Sequence, residues 1–144
     1  MTPPQLAALV PELSCSDFEQ SLKFYTKILG FKVLFERPER EFAYLALGKA
    51  QIMLEQSNGY WETGPLQKPY GRGVNFQIVV PDLQPIVDHL ANSGVALFQA
   101  PETAWYRIDK VERGVREFLV QDPDGYLLRF SQLIGDRPTA RDQA

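Results

Sequence analysis

The stretch SDFEQSLKFYTKILGF, Ser16–Phe31, decides the fold, because DLQPIVDHLANSG, Asp82–Gly94, repeats its plan. Each opens on an aspartate, Asp17 or Asp82, whose side-chain oxygen can accept an orphan N–H of a first helical turn. Ser16 is the neighbouring alternative in the first copy. Each closes on a glycine, Gly30 or Gly94, suited to the left-handed residue that ends a helix. Between these signals Leu22, Tyr25, Ile28 and Leu29 recur at helical spacing, as do Leu83, Ile86, Val87 and Leu90. Pro85 falls in a first turn, where its missing N–H costs nothing.

Upstream of each helix the period changes to two. Leu9, Pro11, Leu13 and Cys15 oppose Val10, Glu12 and Ser14; Val74, Phe76, Ile78 and Val80 oppose Asn75, Gln77 and Val79. Pro11 cannot donate a ladder bond, which points to an edge or a bulge. Downstream, three strand-like runs follow each helix: Lys32–Arg37, Glu41–Leu47 and Ala50–Gln56, then Val95–Gln99, Val115–Gln121 and Tyr126–Ser131. Gly48-Lys49 and Asp122-Pro123-Asp124-Gly125 are the turn signals.

The order strand, helix, three strands, occurring twice, predicts an α+β fold of two βαβββ modules at about residues 7–56 and 74–132. Their mixed sheets curve around a cavity. Residues 57–73 link the modules and 134–144 form a polar tail expected to fray. The helices cover the apolar face of each sheet, and the more polar face is left to line the cavity.

The 144 residues are 44 % hydrophobic and 23 % charged, an ordinary globular balance. A net charge of -3 carries no basic stripe for nucleic acid. No apolar run approaches the roughly 20 residues that span a bilayer. Cys15 is the only cysteine, so no intrachain disulfide forms, and with no leader read at the N-terminus a reducing cytoplasm is expected. His89 is the only histidine, falls in the second helix and reads as a surface residue. Cys15 reads as an inert buried thiol.

The segments Ser16-Asp17-Phe18, Ser21-Leu22-Lys23-Phe24-Tyr25, Leu29-Gly30-Phe31 and Gln121-Asp122-Pro123-Asp124-Gly125-Tyr126 together resemble the vicinal oxygen chelate superfamily, which includes glyoxalase I, extradiol dioxygenases and bleomycin-resistance proteins. The resemblance spans all but the tail. It implies paired βαβββ modules, often in a homodimer that completes each cavity. Metal-dependent members hold a divalent ion with His, Glu or Gln on the first and last strands of each module. Counting from the aspartates and the turns, those positions here are Val10, Asn75, Met53 and Arg129. Val10 has no donor, Met53 offers only a soft thioether and Arg129 is a permanent cation, so no metal and no cofactor are expected. A register slip would bring in Glu12 or Glu55 and with it the alternative, a metal-dependent isomerase, lyase or dioxygenase with shifted ligands.

The resemblance then falls closest to the bleomycin-resistance-like branch, which binds a drug without transforming it. The ligand-binding candidates are Glu12, Tyr44, Met53, Trp61, Asn75, Gln77, Trp105, Arg107 and Arg129, with none catalytic. Arg129 would anchor a carboxylate or phosphate, or pair internally with Glu12 or Glu55. Glu12, Asn75 and Gln77 would hydrogen-bond a ligand or one another. Trp61, with Tyr60 and Tyr70, lies in the linker; Trp105, Tyr106 and Arg107 lie in what reads as a loop before Val115. Both segments would overhang the cavity and stack on a flat ligand, or serve as packing anchors or contacts to another protein. Tyr44 and Phe42 share one strand face. The expected partner is a small molecule, either a bleomycin-type antibiotic or an aromatic or acidic metabolite. Arg107, Lys110 and Arg113 suit a cationic drug poorly.

Overall fold

The structure is a computed structural model and describes residues 3–139. It divides into two compact units. The first runs to Gly73 and takes in Asp122–Tyr126; the second comprises Val74–Gln121 and the chain from Leu127.

In the first unit β1 (Glu12–Cys15) leads into α1 (Phe18–Lys23), and β2 (Lys32–Arg37), β3 (Phe42–Leu47) and β4 (Ala50–Gln56) follow. Asp17 caps α1, its carboxylate accepting the Gln20 N–H at 3.2 Å. The helix continues through a π-helical turn, Phe24–Ile28, in which the Leu29 N–H donates to the Phe24 carbonyl at 3.1 Å, and Gly30 ends it at φ +90°. The sheet order is β1-β4-β3-β2, with β1 parallel to β4 and the other pairs antiparallel. One face is the core: Leu13, Cys15, Ala43, Leu45, Ile52 and Leu54 are buried with Phe24, Tyr25 and Leu29 of the helix.

The aspartate turn belongs to this unit and supplies its buried polar centre. Asp122 accepts the Tyr25 hydroxyl at 2.8 Å and the N–H groups of Asp124 and Tyr126 at 2.9 and 3.0 Å. Asp124 accepts the Ser16 N–H at 3.1 Å and its hydroxyl, with Lys68 Nζ at 3.5 Å. Burial pushes the Asp122 carboxyl up to about 6, against the pull of its three hydrogen bonds.

In the second unit β5 (Asn75–Val79), α2 (Gln84–Asn92), β6 (Gln99–Ile108), β7 (Val111–Gln121) and β8 (Leu127–Pro138) form a sheet of order β5-β8-β7-β6, again parallel only at the first pair. Its core face carries Ile78, Phe118, Val120, Leu128 and Phe130, buried with Leu83, Ile86 and Leu90; Phe118 and Phe130 stack at 5.2 Å. α2 begins two residues after Asp82, whose carboxylate accepts the Gln84 N–H at 3.0 Å.

Three expectations are corrected. Val95–Gln99 is not a strand; β6 runs from Gln99 to Ile108 and takes in Trp105, Tyr106 and Arg107, which are therefore not in a loop. Its turn is the two residues Asp109-Lys110, closed by the Ile108 and Val111 pair, with Asp109 at φ 55°, a conformation aspartate tolerates. Ile134–Pro138 does not fray; it continues β8 against β7, held by Arg113 on Asp136 at 2.9 Å and Arg137 on Glu112 at 3.1 Å. The remaining tail, 140–144, lies outside the described residues. Among the described residues no helix is long and apolar enough to cross a membrane.

Candidate ligand-binding face

Strand pairing fixes which side chains share the polar face of each sheet, because partners across a ladder point to the same side. In the first sheet Glu12, Met53, Tyr44 and Phe35 form one row and Ser14, Glu55, Phe42 and Arg37 the next. So Glu12, Met53 and Tyr44 are brought together. Much of this face is filled by its own side chains. Phe35 stacks on Tyr44 at 4.9 Å, and the Arg37 guanidinium sits 4.5 Å over the Phe42 ring. Tyr44 also donates its hydroxyl to Gln51 at 2.5 Å. The Glu12 carboxyl lies above its ordinary value, first because it is partly buried and then because Glu55 repels its charge, with Arg37 pulling the other way.

In the second sheet Gln77, Arg129, Leu119 and Gln99 form one row and Val79, Ser131, Glu117 and Glu102 the next. Arg129 donates from Nε to Asn75 at 3.2 Å and from Nη2 to Gln77 at 3.0 Å. Its Nη1 lies 3.8 Å from Oε2 of Glu117, a carboxylate only 6 % exposed. Glu117 in turn accepts the Tyr106 hydroxyl, and this hydrogen bond holds the phenol above its ordinary pKa. Gln77, Tyr106, Ile108, Arg113, Val115, Glu117, Arg129 and Ser131 line a concavity of about 200 Å³ on this face.

Of the sequence candidates, Asn75, Gln77 and Arg129 thus meet in one network. Arg129 finds its carboxylate in Glu117. Glu117 is absent from the expected set, and Tyr106 enters the expectations only as part of an overhanging loop. For Glu117 the available signal was its place between Val115 and Leu119 at period two, since an acid on such a row is seldom buried without a partner. Trp105 and Arg107 alternate with Tyr106 and so lie on the opposite face of the hairpin. There the Trp105 ring covers Gly114 and carries the Arg137 guanidinium at 3.9 Å. Trp61 is 82 % exposed at φ 63°, beside Tyr60, Asn58, Glu55 and Arg40 around a separate surface concavity of about 350 Å³.

The sequence profile described as the Glyoxalase/Bleomycin resistance protein/Dioxygenase superfamily matches residues 6–130. The chain belongs to this superfamily. It is 40 % identical to a superfamily member of known structure from Vibrio splendidus 12B01, over 87 % of this chain and 97 % of that one, at a TM-score of 0.41. It is 24 % identical over 127 residues to virulence protein STM3117 of Salmonella typhimurium, covering 85 % of this chain and 81 % of that protein. The crystal structure of STM3117 superposes at a TM-score of 0.64 over 90 % of this chain and all of that one, at 18 % identity. TioX from Micromonospora sp. ML1 superposes at 0.68 with 20 % identity over 89 % and 99 % of the two chains. The last two likenesses are of fold.

Across the ladders from Met53 and Arg129, two of the positions that the resemblance singles out, lie Glu12 and Gln77, and Asn75 also reaches Arg129. Neither pair fits a hard divalent cation. Glu12 stands beside a thioether. The Gln77 oxygen is taken by a guanidinium that would itself repel the ion. Among the described residues no three His, Cys, Asp or Glu side chains are grouped closely enough to hold a metal.

Proposed function

We propose that the chain captures a small organic molecule on the polar face of its second sheet without transforming it, as the bleomycin-resistance-like branch of the superfamily does. The observation that supports this reading is Arg129, fixed by two amide oxygens at a last-strand position. A guanidinium keeps its proton across the working pH range, so it serves recognition and not acid-base chemistry. A concavity of about 200 Å³ is below the roughly 300–1,000 Å³ of drug-sized pockets. That favours a metabolite-sized ligand over a bulky glycopeptide. The second reading, an enzyme with shifted metal ligands, draws on Glu12 and Glu55, whose carboxylates repel one another.

Two measurements separate the readings. Metal analysis of the purified protein is expected to give far less than one transition-metal ion per chain. About one ion per chain, lost in Glu12→Ala, would favour the enzyme. A thermal-shift screen over organic acids, amides, amines and a bleomycin-type glycopeptide is expected to yield a small stabilising compound. At a hundredfold excess over its Kd it should add about 2.7 kcal/mol. Stabilisation by the glycopeptide alone would reverse the size argument.

A further inference from the structure

We infer that the ligand is a small organic monocarboxylate whose carboxylate takes the outer edge of the Arg129 guanidinium, displacing Glu117 as its anionic partner. This rests on the site proposed above and names its ligand class. A guanidinium has five N–H donors in a fixed fork. Asn75 and Gln77 accept from Nε and Nη2 and hold the group by one edge. The edge formed by Nη1 and Nη2 presents parallel donors matched to the two oxygens of a carboxylate.

What faces Arg129 now is an internal stand-in. Glu117 Oε2 lies 3.8 Å from Nη1, beyond hydrogen-bond reach, and the other oxygen of Glu117 is occupied by Tyr106. The positive charge of Arg129 pulls the Tyr106 pKa down against the pull of Glu117. Tyr106, 45 % exposed on the edge strand β6, keeps its hydroxyl on Glu117, so this buried carboxylate still has a partner when the ligand takes Arg129. The lining holds two guanidiniums, Arg113 and Arg129, against one carboxylate. Asp136 takes one edge of Arg113 at 2.9 and 3.0 Å. Ile108 and Val115 offer apolar surface for the hydrocarbon part of the ligand. Counted with Asp136, two carboxylates already balance the two guanidiniums, so a ligand carboxylate takes the place of Glu117 on Arg129, and the small concavity suits a short organic body.

The test is calorimetric titration of the full chain with acetate, isobutyrate, benzoate and phenylacetate, with the primary amide of each acid, and with benzylamine. At least one acid should saturate, with its amide bound on the order of tenfold more weakly or less, since a charge-assisted hydrogen bond is lost. Glu117→Gln keeps an acceptor for Tyr106 but removes the competing charge, so it should tighten the acid several-fold. Arg107→Gln, on the opposite face, should leave the affinity unchanged. Equal binding of acid and amide, or weaker acid binding by Glu117→Gln, overturns the carboxylate assignment. Saturation by amide or amine with the acids silent overturns that assignment alone. Silence across all three classes overturns the site as well.

Discussion

Replacing Asp122 by asparagine should change how stability depends on pH. In the folded protein burial lifts this carboxyl to about 6, whereas an exposed aspartate titrates near 3.9. The folded state therefore binds the proton more tightly than the unfolded one. The stability this contributes is fully present below about pH 3.9 and is lost as pH rises through about 6. A difference of about two units, at 1.36 kcal/mol each, is about 3 kcal/mol. In Asp122→Asn the amide oxygen can still accept from Asp124 and Tyr126, and the amide nitrogen faces the Tyr25 hydroxyl. The stability of the variant relative to the parent should thus climb by about 2 kcal/mol of this between pH 4 and pH 7. Urea unfolding at four pH values, read by circular dichroism, measures it. Taking the difference cancels the other titrating groups. A difference that stays flat, or that falls as pH rises, would refute the assignment of Asp122 as the buried, proton-loving acid of the first unit.

Two further outcomes follow from packing. Gly114→Ala puts a Cβ 2.7 Å from the Trp105 ring and should cost about 1–3 kcal/mol in urea unfolding, most of it restored by Trp105→Leu in the same chain. Cys15 is 1 % exposed with its thiol pushed up to about 12. At pH 8 iodoacetamide should label the native chain far more slowly than the urea-unfolded chain, and equal rates would contradict its burial.

Much of the fold was legible where side chains made local chemistry unambiguous. β2 and β4 run as read from the alternation between Lys32 and Gln56 and the Gly48-Lys49 turn, and Asp17, Gly30 and Gly94 act as helix punctuation. β6 was missed because Pro101, Glu102 and Thr103 interrupt any apolar alternation. Its hairpin also turns on Asp109-Lys110, without the glycine that usually marks such a loop. Residues 134–138 look like a solvated tail by composition. What seats them is opposite charge across the ladder, Arg113 with Asp136 and Glu112 with Arg137. The site was half visible. Asn75, Gln77 and Arg129 followed from strand alternation. Glu117 and Tyr106 enter through the pairing of β6, β7 and β8, which a single sequence does not specify.

The proposed capture depends on Arg129 acting as a recognition group in place of a metal ligand, and titration of the best stabilising compound into the parent chain and Arg129→Gln tests it most directly. With the fold of the variant checked by circular dichroism, Arg129→Gln should bind at least about tenfold more weakly, the loss of a charged hydrogen bond. Undiminished affinity in a natively folded variant would contradict it.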